Sequence, residues 1–293
     1  MRSNFSYRVQ YWALLALGAS FRLLPRRIRS AVGGCLGQVV YLIGIRVRVT
    51  EQNLMRAFPS LPRNAIRMTV RRVYCHFGRV AASFATVLTL RRSDLGKWIF
   101  VEGTDVLDEA VRSGKGGLVF SGHLGNWELM GAICAQLGYP VTFVVASQSN
   151  PYVEELIDRY RQRTGIEIIK RRDAIRGVLT ALKRGRLVAM LIDQDAHEEG
   201  TFVPFFGTPA STPRGPAVFH LRTGAPLIFA HSARLPGDRY RIQVSRLDTA
   251  GCADTDEITA RMSSVFEAAV RKTPEQWFWM HRRWKTRLPE SSL

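Results

Sequence analysis

Beyond residue 95 the chain alternates short apolar runs with stretches of helical period, and that alternation limits what it can become. Gly117-Leu118-Val119-Phe120 and Leu187 to Ile192 carry no charged side chain, as expected of strands covered on both faces. Val141 to Ala146, Ile166 to Ile169, Leu227 to Ala230 and Tyr240 to Val244 read as further strands. Between and after them, Pro151 to Arg163, Ala174 to Lys183 (ended by Gly185) and Asp256 to Arg271 carry helical spacing. The pattern predicts an α/β domain, a mixed sheet with helices on both faces. Strands of this kind present functional side chains at their carboxyl ends.

Two runs end on groups that can do chemistry. After the first comes Ser121-Gly-His-Leu-Gly-Asn-Trp-Glu128, then a helical stretch from Trp127 to Leu137 stopped by Gly138 and Pro140. On one straight helix His123 and Glu128 would diverge. A turn at Gly125 instead puts His123 before the helix and Glu128 within its first turns. A neutral imidazole takes a proton from a hydroxyl when a carboxylate holds its other nitrogen, so His123 oriented by Glu128 is a candidate general base. No Gly-x-Ser-x-Gly elbow occurs. Ser121 reads as a turn residue and Cys134 as core. A base without an enzyme nucleophile points to direct transfer, in which the acceptor's own hydroxyl attacks. The competing reading is a turn histidine bonded to a nearby carboxylate.

The second run ends on Asp193-Gln194-Asp195. These acids suit orienting a donor, holding an acceptor's polar groups or binding a metal, and loop capping is the plain alternative. His197, Glu198 and Glu199 follow, yet no recognised metal-ligand spacing is present, so no metal site is expected.

The His-x4-Glu box resembles the first motif of the glycerolipid-type acyltransferases. The chain as a whole resembles the bacterial lipid A biosynthesis late acyltransferases, the lauroyl- and myristoyltransferases. The blocks that carry the resemblance run in order: Asn53-Leu54 with Ala57-Phe58-Pro59, Ser121 to Glu128, Asp193-Gln194-Asp195, Val203 to Gly207, Thr223 to Pro226, and Pro274 to Trp277 leading into His281 to Lys285. The resemblance implies a glycerolipid acyltransferase-like fold. It further implies an O-acyltransferase that moves a fatty acyl chain from an acyl-acyl carrier protein thioester to a hydroxyl of a lipid A precursor, with no cofactor beyond that co-substrate. It carries over Asp193 and Asp195 as site residues, with Gln194 between them and Asn126 inside the box as substrate-binding positions. An arginine following Asn150-Pro151 is implied as well. Arg159, Arg161 and Arg163 all qualify, and counting back from Arg171 favours Arg163, with Arg171 as a further contributor.

Composition fits an anionic partner. Forty-two Lys and Arg against twenty-four Asp and Glu give a net charge of +18, which suits an acidic carrier protein and a phosphate-bearing lipid. The first fifty residues hold eight arginines and no acid. They surround apolar runs at Tyr11 to Ala19 and Ala31 to Ile45, both short of the roughly 20 residues of a plain spanning helix. Residues 1–50 are therefore expected to be a helical membrane anchor at an anionic bilayer surface, kept on its cytoplasmic side; the resemblance implies that this membrane is a bacterial inner membrane and that residues 51–293 are the acyltransferase domain. A cleaved signal peptide is the rival reading; the continued arginines and second apolar run weigh against it. Cys35, Cys75, Cys134 and Cys252 form no close pair, which fits a reducing compartment.

Residues 63 to about 91 read as a basic amphipathic helix, with Ile66, Val70, Val73, Phe77, Val80 and Phe84 on one face. The tail Trp277-Phe278-Trp279-Met280 before His281-Arg282-Arg283 reads equally as a membrane-interface stretch meeting phosphate or as core followed by surface. Two other classes remain: a metal-dependent phosphoesterase using His123, Asp193, Asp195 and His197, and a nucleic-acid-binding protein. Aromatic residues concentrated in apolar runs rather than among the basic stretches weigh against the latter. Within the acyltransferases, the alternative is an acyl-coenzyme A-dependent enzyme acting on another glycolipid or a lysophospholipid.

Overall fold

The computed structural model describes residues 4–84, 87, 90 and 92–288. The apolar runs become a seven-stranded sheet of order β1-β9-β8-β2-β5-β3-β4. Its members are β1 (Ile99–Glu102), β2 (Gly117–Ser121), β3 (Val141–Val145), β4 (Glu167–Lys170), β5 (Leu187–Leu191), β8 (Leu227–Leu235) and β9 (Arg239–Arg246). Only the β8–β9 pair is antiparallel; β2 runs parallel to both of its neighbours, β5 and β8. The mixed α/β sheet expected from the pattern is thus present. All five residues of β2 are buried, because helices cover both faces. One face meets the core of Phe120, Phe205, Phe266, Trp277 and Trp279; the other meets Ile133, Ile166, Ile228 and Ile242.

Ten α-helices lie among the described residues. The amino-terminal group is α1 (Asn4–Leu23), α2 (Arg26–Leu42), α3 (Val47–Ala57) and α4 (Arg63–Phe84). The sheet helices are α5 (Thr104–Arg112), α6 (Trp127–Gln136), α7 (Pro151–Arg163), α8 (Ala174–Lys183), α9 (Gly215–Thr223) and α10 (Thr255–Lys272). Helix α7 begins where expected, since the Asn150 side chain accepts from the Tyr152 and Val153 amides and Pro151 occupies the first turn. Helix α4 is described as far as Phe84, and most of the 85–91 extension predicted for it lies outside the described residues. Strand β1 and helices α5 and α9 are additions to the expected elements. So is a two-stranded antiparallel ribbon, β6 (Thr201–Phe205) with β7 (Thr208–Thr212). Phe206 and Gly207 turn it with φ of 51° and 72°.

Helix α2 lies against α4 at a backbone-to-backbone crossing. A Cβ on Gly37 would stand 2.0 Å from the Tyr74 carbonyl oxygen, and one on Gly78 2.1 Å from that of Gly33. The opposite side of the α1–α2 pair is apolar and uncovered: Phe5, Trp12, Leu23, Ile28, Leu42 and Ile43 are 52–86% exposed. No single described helix is long and apolar enough to cross a membrane; α2 and α3 reach that composition only together, with a 95° bend between them.

Candidate active site

The parallel register of β2 and β5 builds the site. Ser121 pairs with Leu191, and the Ile192 amide donates to the Ser121 carbonyl at 2.9 Å. Two residues further along each strand, His123 and Asp193 stand side by side. His123 Nδ1 lies 2.9 Å from Asp193 Oδ1, and the His123 amide donates to Oδ2 at 2.8 Å. The Trp277 indole also donates to Oδ2 at 2.8 Å. An ionised carboxylate only accepts hydrogen bonds, so Nδ1 carries the proton and Nε2 carries the lone pair.

Burial alone would raise the Asp193 carboxyl pKa. The charge and hydrogen bond of the imidazole, with Trp277 and the His123 amide, outweigh it and hold the group below its ordinary value. For His123, burial works downward, but Asp193, with a smaller contribution from Glu128, leaves the imidazole pKa raised. Asp193 is almost fully enclosed, whereas the His123 side chain is 21% exposed, the asymmetry that a base needs if substrate is to reach it. Trp127 meets the imidazole edge-on at a centroid distance of 4.7 Å, and Phe278 lies at 6.0 Å. Phe77, from α4, packs on Phe278 at 5.1 Å.

Glu128 therefore holds a different position from the one expected of it. The carboxylate on the imidazole is Asp193, from the next strand; Glu128 receives Arg161. Arg161 Nε donates to Oε2 at 3.1 Å and Nη2 to Oε1 at 2.5 Å, and the Trp127 indole donates to Oε1 at 3.2 Å. The reason is geometric: α6 starts at Trp127, and its first turn points Glu128 toward α7. The arginine that reaches the site is Arg161. Arg163, favoured by counting, is exposed at the end of α7. Arg171 is likewise exposed and pairs with Glu199 at 3.1 Å.

Asn126, expected as a substrate-binding position, is a buried cap. Its side chain accepts from the Leu129 amide at 3.1 Å and donates to Ser83 Oγ at 2.7 Å. Before it, Gly125 takes φ 62°, and a Cβ there would stand 1.8 Å from the Ser232 carbonyl oxygen. Buried His76, on α4, lies 3.0 Å from the Gly125 carbonyl through Nε2. Since a carbonyl accepts, His76 donates, and burial keeps it neutral by lowering its pKa to about 3.

Gln194 is half-buried between the two acids. Asp195 belongs to a separate cluster: its amide donates to His281 Nε2 at 3.0 Å, and its Oδ2 accepts from Thr286 Oγ1 at 2.8 Å and lies 3.2 Å from His197 Nδ1. The four groups needed by a metal hydrolase are thus divided into His123–Asp193 and Asp195–His197. Among the described residues no three His, Cys, Asp or Glu side chains are grouped as metal ligands.

The carboxyl-terminal block closes the site from behind. The Gly125 amide donates to the Gln276 carbonyl at 2.9 Å and the Phe278 amide to the His123 carbonyl at 3.1 Å. Asn53 fastens the same segment, its Nδ2 donating to the Trp279 and His281 carbonyls. Of the two readings of the tail, core holds for Trp277 and Trp279, which are 1% and 0% exposed. Arg283, expected at the surface, is buried as well. It donates to the Ser211 carbonyl and Thr212 hydroxyl, and burial brings its pKa down to about 10.

Residues 2–286 match the profile of the family described as bacterial lipid A biosynthesis acyltransferase. The chain is 28% identical over 252 residues to the lipid A biosynthesis palmitoleoyltransferase of Escherichia coli (strain K12), covering 85% of this chain and 82% of that protein. It is 26% identical to a lipid A biosynthesis acyltransferase of Haemophilus influenzae (96% and 92% covered). It is 25% identical to the phosphatidylinositol mannoside acyltransferase of Mycolicibacterium smegmatis (88% of each).

Proposed function

The chain belongs to the bacterial lipid A biosynthesis acyltransferase family and is an acyltransferase, and on that premise we propose that it carries an acyl chain from an acyl-acyl carrier protein to a hydroxyl of a lipid A precursor, with His123 as general base. The observation that carries the mechanism is the His123–Asp193 pair, with its free Nε2. Nε2 takes the acceptor hydroxyl's proton as the oxygen attacks the thioester carbonyl. Asp193 holds the tautomer and stabilises the imidazolium. Collapse of the tetrahedral intermediate breaks the C–S bond, and the imidazolium returns its proton to the departing thiolate. Glu128 acts through Arg161, fixing α7 against α6 beside the imidazole.

The enzyme works at the cytoplasmic face of the inner membrane, with the exposed apolar side of α1 and α2 in the interface. This reading rests on Phe5, Trp12 and Leu23, which stand uncovered on a segment rich in arginine. The second reading, a glycolipid acceptor other than lipid A with acyl-coenzyme A as donor, draws on the mannoside acyltransferase among the relatives.

The deciding experiment incubates detergent-solubilised protein and its His123→Ala variant with acyl-acyl carrier protein and a tetraacylated lipid A precursor, read by mass spectrometry. One added acyl chain that requires His123 is the expected result. Transfer that persists in the variant refutes the assigned base. An unchanged acceptor with folded protein and intact donor redirects the assay to mannosides and acyl-coenzyme A.

A further inference from the structure

His76 is a buried titratable side chain that the transfer step does not use. It stands on α4, outside every sequence block that pointed to the site, and is 3% exposed. Its Nε2 lies 3.0 Å from the Gly125 carbonyl oxygen. What it holds there is the turn between His123 and α6.

Gly125 has little of its own to fix it. Its φ of 62° and the Ser232 carbonyl oxygen, 1.8 Å from where a Cβ would stand, leave room only for glycine. Glycine is also the residue with the widest choice of backbone conformations. A peptide unit is planar, its carbonyl and amide pointing opposite ways. The unit joining Gly125 to Asn126 is gripped at both ends: His76 donates to its carbonyl, and its amide donates to Ser232 Oγ at 2.7 Å. Rotating that unit would break both bonds. Its orientation decides where Asn126 caps α6, and so where Trp127 stands, 4.7 Å from the imidazole. Toward the other end of the turn, the His123 carbonyl is bonded to the Phe278 amide.

A histidine is a costly way to fill this space. Nδ1 of His76 is buried with no hydrogen-bond partner, an unpaired acceptor that an apolar side chain would not leave. What the imidazole supplies in return is its one N–H, on Gly125. Burial drives its pKa down to about 3, and the charges of Arg234 and Arg79 add to the effect. No second proton therefore arrives near neutral pH to put a charge beside the turn. The next residue, Phe77, packs on Phe278 at 5.1 Å, so α4 meets the site at two adjacent positions. We propose that His76 is a positioning residue for acyl transfer: its donation to the Gly125 carbonyl locks the Gly125–Asn126 peptide and sets His123 and Trp127 relative to each other. This role rests on the reading of His123 as the base, and His76 itself touches no substrate.

The test compares His76→Gln with His76→Met, two unbranched side chains of similar size of which only glutamine can donate. In the transfer assay the Met variant should lose about 10²-fold in kcat, the scale of a misplacement of about 1 Å, with KM little changed. The Gln variant should keep most of the activity. A second readout needs no turnover. With isotope-labelled histidine, the Nδ1–H resonance of His123, assigned by its loss in His123→Ala, should shift in the Met variant and stay in place in the Gln variant. A Met variant with unaltered kcat, a Gln variant as impaired as the Met variant, or a His123 resonance that does not move would each overturn the role. If the unaltered protein transfers no acyl chain to either class of acceptor, the acyl-transfer reading falls and the resonance alone decides whether His76 positions the imidazole. If the Met variant does not fold, Ser232→Ala takes its place, because it releases the other end of the same peptide unit. The same fall in kcat at constant KM then supports the lock, and an unaltered kcat refutes it.

Discussion

A histidine next to a strand end becomes a base through whichever carboxylate reaches Nδ1, and here nearness in sequence misleads. Glu128 is five positions from His123, Asp193 seventy, yet Asp193 makes the bond. Replacing Asp193 with Asn preserves shape but removes the charge that fixes the tautomer. It should lower kcat by about 10³-fold or more, with binding of the acceptor little changed. The pH profile separates this from misfolding. The base must be neutral, and the folded imidazole pKa is raised, so activity should fall as pH drops through a value above the ordinary 6.5. In the Asn variant the acidic limb should move to lower pH, because Asp193 is the main influence raising that pKa. A limb that stays in place would show that Asp193 does not act on the base. Both residues were legible in the sequence, each as the polar end of an apolar strand; their pairing was not. It follows from register, since β2 and β5 are adjacent and parallel, a relation that one strand's composition cannot reveal. Trp277 escaped for the same reason: its indole donor looks like an apolar ring until the chain is folded.

Among elements, legibility followed strength of local signal. Helices α7 and α8 fall where Pro151, Gly185 and the apolar spacing placed them. Helix α9 opens on Gly215-Pro216 and β6 contains Pro204, so both present breakers to a local reading and form because tertiary packing favours them. The α2–α4 crossing depends on glycines that look like helix liabilities in the sequence. With Tyr74 backbone 2.0 Å from the Cβ that Gly37 lacks, Gly37→Ala must push the helices apart despite alanine's better helix propensity. The expected cost is about 1–3 kcal/mol, seen as a lower midpoint in denaturant unfolding. An unchanged or raised midpoint would mean that the crossing is not tightly packed. Because α4 also carries His76 to the Gly125 carbonyl and Phe77 to the aromatic wall, the same variant should lower kcat more than it raises KM.

At the scale of the whole molecule, α1 and α2 leave one side apolar while arginines supply the charge around it, a division that water alone does not explain. Phe5, Trp12, Leu23 and Ile43, 65–86% exposed, are large side chains left outside the core. Burying one of them in lipid is worth about 1.5–3 kcal/mol, so Trp12→Glu should weaken binding to vesicles containing anionic lipid by roughly tenfold or more. Salt should loosen the complex in both proteins by screening the arginines. It should not release the unaltered chain, because the apolar contribution persists when charge is screened. A protein that high salt strips completely from vesicles, with Trp12→Glu indistinguishable from the original, would be held by charge alone, and the uncovered side of α1 would need another partner. Activity tells the two cases apart: an interface that delivers a lipid acceptor predicts that Trp12→Glu loses transfer on vesicles and keeps it in detergent, where the acceptor arrives without the bilayer.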